Sequence, residues 1–399
     1  MKRSRLLRGR QLAGCAIAAL LFAILFHPAH GANQPASPPP QAQSAAASPF
    51  VQKHVLVLYS TVYLPAYRRH SAALLASLEQ AGVSSANIHY ELLDLGRNNT
   101  PAYRDSLASW IREKYATLKM DAIITVDGPA QDFILNQGSM LFPDAPVISV
   151  LAPLALTDPF PGRRIIQIPA RGDFAGTVET AMQLFPKTKQ VYFISGDAEV
   201  EKQWLVMAQV ALAPWFDKLH FEFSDPSTYD QVLQTVSALP PDSIILYLSF
   251  YRDISGSTYV PRDVAKEIAR ISPVPVFGVY DTLLGVGVVG GSMFSYEFEG
   301  RHSAELTLDI MSGKLQPTEQ LTVLPCLVRP MFDWKQLERW DVSMRSFPEE
   351  SVFINQPPTI WGQYREIVIG TCAVFLALVA LITALLASNR LPKVGLDAP

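Results

Sequence analysis

The sequence predicts an α/β protein of two doubly wound parallel-sheet lobes, followed by one C-terminal membrane helix. Short apolar strands alternate with helices, and this alternation runs through residues 54–168 and again through 169–340. The strands are apolar nearly throughout, which is typical of a parallel sheet with helices on both faces. A crossover strand at 164–169, rather than a polar linker, joins the two series. Residues 367–387 are uncharged and long enough to cross a bilayer as one helix.

The composition argues against a nucleic-acid partner and against a disulfide framework. The 399 residues carry a net charge of −3, with 49% hydrophobic and 17% charged residues. This balance shows no basic excess for binding a phosphate backbone. Cys326 is the one cysteine expected in the exported part, because Cys15 and Cys372 lie in the two apolar segments. The exported core must therefore be stable without an internal disulfide.

The N-terminus predicts export. A basic start, MKRSRLLRGR, precedes an uncharged apolar stretch, so residues 1–31 are a signal peptide or an uncleaved signal anchor. Residues 32–53 follow as an Ala, Pro, Ser and Gln linker, which has too little bulky apolar surface to fold.

The C-terminus predicts the orientation in the membrane. Arg390 and Lys393 directly follow the apolar helix and place the tail, residues 388–399, in the cytoplasm. The main domain then lies in the periplasm and is tethered to the inner (cytoplasmic) membrane. Residues 341–366 are predicted as a juxtamembrane strut, because Pro357 and Pro358 favour an extended chain.

Each lobe is predicted element by element. In the first, strands begin at His54, Ile88, Asp121, Pro146 and Arg164, with helices at Tyr67–Ala81, Tyr103–Lys119 and Gln131–Gln137. In the second, helices at Asp173–Phe185, Glu199–Trp215, Tyr229–Ala238 and Arg262–Ile271 alternate with the strands VYFIS, LHFEFS, SIILYLSF and PVFGVY. A helix at Glu297–Ser312 and an extended return, LTVLPCLVRPMFDW, complete the body and are expected to return in part to the first lobe.

Two consecutive α/β lobes in an exported protein predict the bilobed type I periplasmic-binding-protein-like fold. In that fold a ligand lies between the lobes, at the carboxyl ends of the strands. The alternative is two independent doubly wound domains.

Several segments, taken in their order, resemble one family. They are HVLVLYS, DAIITVDGPAQDF, LFPDAPVISV, VFGVYDTLLGVGVVGG, DWKQLERW and PPTIWGQYRE. Over roughly residues 54–387 they resemble the periplasmic sensor region of bacterial sensor histidine kinases of the ABC-transporter substrate-binding-like family. The resemblance implies a cytoplasmic transmitter after the membrane helix. No histidine follows His302, so this sequence is expected to lack autokinase activity and to be either a truncated kinase or a stand-alone receptor.

Loops after the predicted strands supply the candidate ligand-binding residues. They are Ser60, Tyr63, Asp127, Tyr251, Arg252, Tyr280 and Asp281. Arg252 could pair with a ligand carboxylate and Asp127 or Asp281 with an amino group, while the tyrosines could stack on a ring. As the alternative, the two aspartates cap helices and Arg252 is a solvated surface charge.

The remaining motifs do not indicate an enzyme. Residues 285–290, GVGVVG, match a dinucleotide fingerprint but do not directly open a helix after a strand, so a glycine-rich turn near the cleft is the preferred interpretation. The histidines show no metal-ligand spacing, and no nucleophile motif is present. We therefore predict no catalytic residue, no metal and no cofactor.

The sequence thus predicts a membrane-tethered sensor that binds a small organic solute, amino-acid-like or aromatic, and signals through its C-terminal helix. A membrane-anchored substrate-binding component of an ABC transporter is the alternative. The expected protein partner is a separate histidine kinase in the first case and an ABC permease in the second.

Overall fold

The computed structural model describes residues 48–61, 65–137, 141–152, 156, 163–224, 226–316, 320–343, 347–348, 350–358 and 360–389, with 360–364 and 387–389 as backbone only. The chain divides into two units, Met1–Ala47 and Ser48–Pro399, and the description below concerns the second. The predicted signal segment (1–31), most of the linker and Tyr63 lie outside the described residues.

The first lobe is built on a six-stranded parallel sheet. Its strand order is β11-β5-β4-β3-β1-β2. The strands are β1 Val55–Tyr59, β2 Ile88–Leu92, β3 Ala122–Val126, β4 Val147–Val150, β5 Ile165–Ile168 and β11 Leu321–Val323. The helices are α1 Pro65–Gln80, α2 Pro101–Lys114 and α3 Gly128–Asn136. Every residue of β1, β3, β4 and β5 is buried, as expected for strands that helices cover on both faces.

The second lobe is built on a seven-stranded sheet with the order β13-β12-β10-β9-β8-β6-β7. Its strands are β6 Gln190–Ser195, β7 His220–Phe223, β8 Ser243–Ser249, β9 Val276–Gly278, β10 Gly290–Phe294, β12 Val328–Asp333 and β13 Val352–Ile354. The helices are α4 Phe174–Leu184, α5 Glu199–Leu212, α6 Tyr229–Ser237, α7 Pro261–Ile271 and α9 Trp334–Arg339. Strand β12 pairs antiparallel with β10, whereas the other strand pairs of this sheet are parallel.

The chain crosses between the lobes three times. It passes first from β5 to α4, and later from β11 to β12. The remaining crossing lies between β10 and α8 (Tyr296–Met311), because α8 packs against α1, β3 and β4 of the first lobe. This packing is close: a Cβ at Gly300 would lie 2.2 Å from the His70 carbonyl oxygen. Two independent domains would be joined only once, so the predicted bilobed type I periplasmic-binding-protein-like fold is confirmed.

The glycine-rich stretch 285–290 does not lie at the cleft. Gly290 begins β10, whose amino end is opposite the carboxyl ends that face the cleft. Gly290 has a φ of +148°, and a Cβ there would lie 2.2 Å from the Met331 carbonyl oxygen. Gly290 therefore permits close packing of β10 on β12. Gly285, Val286 and Gly287 line a separate surface beside α7 and α9 and not the cavity between the lobes, so the interpretation as a cleft turn is wrong.

The predicted strut, 341–366, also has a different structure. Val352–Ile354 form β13, which pairs in parallel with β12 and belongs to the sheet of the second lobe. The C-terminal helix α10 then spans Ile360–Asn389 and begins before the predicted residue 367. Within it, Arg365–Leu386 is the one segment of the described chain that is long and apolar enough to cross a membrane. At 1.5 Å per residue it would span about 33 Å, close to the thickness of a hydrocarbon core.

Candidate functional site

A cavity of about 650 Å³ lies between the lobes, at the carboxyl ends of the strands. The first lobe contributes Thr61, Ala66, Tyr67, Gly96, Asp127 and Leu151. The second lobe and the crossing segments contribute Ala170, Val200, Trp204, Leu248, Ser249, Tyr251, Pro261, Arg262, Tyr280, Thr282, Leu283 and Tyr296. A volume of this size fits a small organic molecule.

Asp127 is the acidic group on the first-lobe side of the cavity. It directly follows β3 and caps α3, with Oδ1 accepting from the Gly128 amide at 2.7 Å. The Tyr67 hydroxyl donates to Oδ2 at 2.8 Å. Burial raises the pKa of the Asp127 carboxyl above its usual value, and these two hydrogen bonds oppose that rise. A cationic group entering the cavity would favour the ionised form of Asp127.

The backbone holds Asp127 in a conformation that costs energy. Asp127 has a φ of +79°, and Leu151, at the end of the neighbouring strand β4, has a φ of +60°. Non-glycine residues with such angles are uncommon, and they concentrate at binding and active sites. Two of them at adjacent strand ends therefore support a functional role for this edge of the first-lobe sheet.

Aromatic side chains form another wall of the cavity. Trp204 comes from α5, Tyr251 follows β8, and Tyr280 follows β9. Tyr296 begins α8, and its ring centroid lies 6.3 Å from that of Tyr280. Burial raises the pKa of Tyr280 well above its usual value, so this phenol stays neutral. Neutral aromatic faces favour a ring or a cation between them.

Glu201 holds part of this wall in place. Its side chain is fully buried in α5, one helical turn before Trp204. Oε1 accepts from the Ser249 hydroxyl at 2.6 Å and from the Tyr251 amide at 2.8 Å, and Oε2 accepts from the Ala198 amide at 3.1 Å. One carboxyl group therefore links the end of β8 to the start of α5.

Arg262 is the basic group on the second-lobe side. It lies in the first turn of α7, and its guanidinium donates to the carbonyl oxygens of Thr282 and Leu284. Burial lowers its pKa, with a smaller contribution from nearby Arg69. An arginine remains charged at neutral pH, so the cavity has a cation on one lobe and a carboxyl group on the other.

Of the residues predicted from sequence, Asp127, Tyr251 and Tyr280 line the cavity. Ser60 lies just behind it, where its hydroxyl donates to the Val126 carbonyl and accepts from the Ala130 amide. The predicted role for Tyr63 falls on a residue outside the described part of the chain.

Arg252 and Asp281 are placed differently from the sequence expectation. Arg252 is exposed, does not line the cavity and donates to the Asp197 carbonyl at 3.0 Å. Asp281 is 3% exposed, and its Oδ2 accepts from the Ser295 hydroxyl at 2.8 Å. Its Oδ1 lies 3.6 Å from Nη1 of Arg69 on α1, so this ion pair connects the two lobes beside the cavity.

Four lining residues were not predicted from the sequence: Tyr67, Trp204, Arg262 and Tyr296. Three of them lie one to six residues inside helices that follow strands, and Tyr296 begins the helix after an unpredicted strand. The available signal was their position near helix starts, because the first turn after a parallel strand faces the carboxyl edge of the sheet.

The comparisons with known proteins agree with this fold. No family model and no curated protein matches the chain. A ligand-free, open substrate-binding protein with adhesive properties from Clostridium difficile is similar, with 17% identity and a TM-score of 0.55 over 76% of this chain and 100% of that one. An ABC domain in complex with L-Trp from Streptococcus pneumonia is similar, with 13% identity and a TM-score of 0.50 over 75% of this chain and 99% of that one.

These similarities concern the fold. At such identities they show the fold alone, which is that of periplasmic-binding-protein-like substrate-binding proteins. Among the residues that the structure describes, no three His, Cys, Asp or Glu side chains come together as a possible metal site.

Proposed function

We propose that this chain is a membrane-tethered periplasmic sensor that binds a small organic solute between its lobes and signals through α10. The observation that carries the proposal is the cavity between the lobes, which is lined by Asp127 of one lobe, Arg262 of the other and several aromatic side chains. A ligand that contacts both lobes stabilises the closed arrangement relative to the open one, and such a difference in affinity is what moves a two-state equilibrium.

The chemistry of the cavity favours a zwitterionic or aromatic solute. Asp127 suits an ammonium group, Arg262 suits a carboxylate, and Tyr251, Tyr280 and Trp204 provide ring faces. The similar domain from Streptococcus pneumonia was solved with L-Trp, which supports the same class of ligand. We therefore propose an amino-acid-like ligand for the cavity.

The connection to α10 favours a sensor over a transporter component. Strand β13 belongs to the sheet of the second lobe, and only residues 355–359 separate it from α10. A rotation of this lobe can therefore act on the helix through a short link, which suits signalling. The alternative, a membrane-anchored substrate-binding component of an ABC transporter, needs no such coupling. It remains the second candidate because the similar structures are substrate-binding proteins.

The first test is ligand binding by the full-length chain in nanodiscs. Aromatic and aliphatic amino acids, aromatic acids and sugars are screened by thermal shift and then by calorimetry. A true ligand at about 100 times its Kd stabilises the protein by about 2.7 kcal/mol through mass action. If no member of the panel shifts the melting temperature, the proposed ligand class is wrong.

The variants Asp127→Asn and Arg262→Gln test the site itself. Each removes one charged contact, so each should weaken binding about 10- to 100-fold, because hydrogen bonds to charged groups contribute about 1.5–3 kcal/mol. Arg252→Gln is the matched control, since this exposed arginine lies outside the cavity lining. If Arg252→Gln weakened ligand binding and Arg262→Gln left it unchanged, the contact with the ligand carboxylate would belong to Arg252 instead.

Co-purification identifies the partner class. The full chain is captured from its native membrane with bound ligand, and the associated membrane proteins are identified. A histidine kinase supports the sensor, whereas recovery of an ABC permease alone supports the transporter component.

A further inference from the structure

Helix α5 has an apolar face that is exposed to solvent. Val206 and Val210, one helical turn apart, are 60% and 73% exposed. Met207 and Ala211 lie beside them, also one turn apart, and are at least partly exposed. The solvent side of a helix is normally polar, so a continuous apolar strip of this kind is typical of a binding surface.

This strip forms one side of a groove of about 460 Å³. The other side is the crossing segment between the lobes, which includes Gly172 and Phe174. The charged residue of the groove is Arg171, which is exposed. The α5 side of the groove is therefore apolar, unlike the ligand cavity, which contains Asp127 and Arg262.

The groove continues directly from the ligand cavity. Ala170, Trp204 and Tyr280 line both spaces. Trp204 and Tyr280 therefore form a shared boundary, with charged groups and rings on one side and aliphatic side chains on the other. A molecule held in the cavity can extend past these two rings onto α5.

We propose that the ligand is an elongated amphipathic solute, with a zwitterionic head in the cavity and an aliphatic tail in the groove on α5. This inference rests on the proposed function, because the head occupies the site formed by Asp127 and Arg262. The continuity of the two spaces selects the tail of the ligand as the occupant of the groove. An amino acid without a tail would leave the faces of Val206 and Val210 uncovered.

The test is a series of linear 2-amino acids with a constant head: norleucine and 2-aminooctanoic, 2-aminodecanoic and 2-aminododecanoic acids. Affinities for the full chain in nanodiscs are measured by calorimetry at concentrations where the ligands are monomeric, with empty nanodiscs as the reference. Each methylene group that the groove buries should raise the affinity about two- to fourfold. The affinity should stop rising once the tail fills the groove.

Val206→Asp and Val210→Asp test where the tail lies. Both positions are exposed, so the variants should fold. A carboxylate in the groove should abolish the gain in affinity with chain length. The affinity for norleucine should stay unchanged, because its head lies in the cavity. Val51→Asp is the matched control, because Val51 is 44% exposed and precedes β1, whose amino end is opposite the cleft.

The possible outcomes separate this inference from the proposed function. Binding of norleucine without any dependence on chain length overturns the tail site and leaves the proposed function in place. A dependence on length that persists in both variants places the tail elsewhere and also overturns the inference. If no amino acid of either panel binds, the head site is wrong, and both this inference and the proposed amino-acid-like ligand fall.

Discussion

Replacing Glu299 by glutamine should make the protein more stable at neutral pH. Glu299 lies in α8, the helix that packs against α1, and is 1% exposed. Oε1 lies 3.4 Å from the Ser303 hydroxyl, and Oε2 has no hydrogen-bond partner among the described residues. Burial raises the pKa of this carboxyl to about 8. The folded protein therefore keeps Glu299 protonated at a pH where the unfolded chain ionises it.

The sign and size of the effect follow from this difference in pKa. An unfolded glutamate has a pKa of about 4.3, so the Glu299 contribution to stability is largest below that pH. The contribution is lost at about 1.4 kcal/mol per pH unit as the pH rises toward 8. At pH 7 the loss is about 4 kcal/mol. Glutamine cannot ionise, so Glu299→Gln should recover most of this amount, less about 1 kcal/mol for an unpaired amide group.

Urea unfolding of the full chain in nanodiscs, followed by tryptophan fluorescence from pH 4.5 to 8, measures this difference. Glu179→Gln is the matched control, because Glu179 is an exposed helical glutamate in α4. The stability difference for Glu299→Gln should grow with pH, whereas that for Glu179→Gln should stay constant. A difference for Glu299→Gln that does not change with pH would refute the reasoning.

Buried His70 faces the same contact between α1 and α8 and acts with the opposite sign. Its Nε2 lies 3.3 Å from the Ser303 hydroxyl, and burial lowers the pKa of its imidazole to about 4. The His70 contribution to stability is present above about pH 6.5 and is lost as the pH falls toward 4. Between about pH 4.5 and 6.5 the two trends should nearly cancel. The combined contribution of these two groups to stability is therefore expected to be largest over that interval.

Three further predictions concern the packing, the connection between the lobes and the membrane helix. Gly290→Ala should cost at least about 3 kcal/mol in urea unfolding, because its Cβ would lie 2.2 Å from a backbone oxygen, whereas Gly256→Ala, with nothing within 4 Å, should cost only about 1–2 kcal/mol of backbone strain. Equal losses of unfolding free energy in the two glycine variants would contradict this prediction. Arg69→Gln should destabilise the protein by about 1–3 kcal/mol, because it leaves the buried Asp281 carboxyl without its partner across the lobes. The loss should shrink at acidic pH, where Asp281 is neutral, and a loss independent of pH would argue against the ion pair. Leu376→Arg, at the middle of the apolar segment of α10, should impair membrane insertion by about 2.5–3.5 kcal/mol, and unchanged membrane fractionation would count against a spanning helix.

Much of the architecture could be predicted because its signals are local. A strand buried on both faces, such as β1 or β3, is apolar at every position. Helix starts have recognisable caps: the Thr100 hydroxyl accepts from the Tyr103 amide, and Asp173 accepts from the Gly176 amide. Strand β10 was missed because GGSMF has glycines where a strand normally has bulky side chains.

The candidate site could be predicted only in part, because a position after a strand does not determine where a side chain points. Tyr251 and Arg252 are adjacent in sequence, yet Tyr251 lines the cavity and Arg252 turns toward the Asp197 carbonyl. Asp281 follows β9 as predicted, but the Ser295 hydroxyl and Arg69 hold its carboxyl beside the cavity rather than in its wall.

The sequence by itself determined the α/β class, the order of the elements and the apolar C-terminal helix, since these depend on which residues can be buried over a few consecutive positions. Only the tertiary structure decided which late segments return to the first lobe, namely α8 and β11, and that β13 joins the second. The cavity depends on the same long-range packing, because Tyr67, Trp204, Arg262 and Tyr296 meet there from four separate helices. Contacts between residues so distant in the chain leave no periodic pattern, so the site emerges only when both sheets and all three crossings are in place.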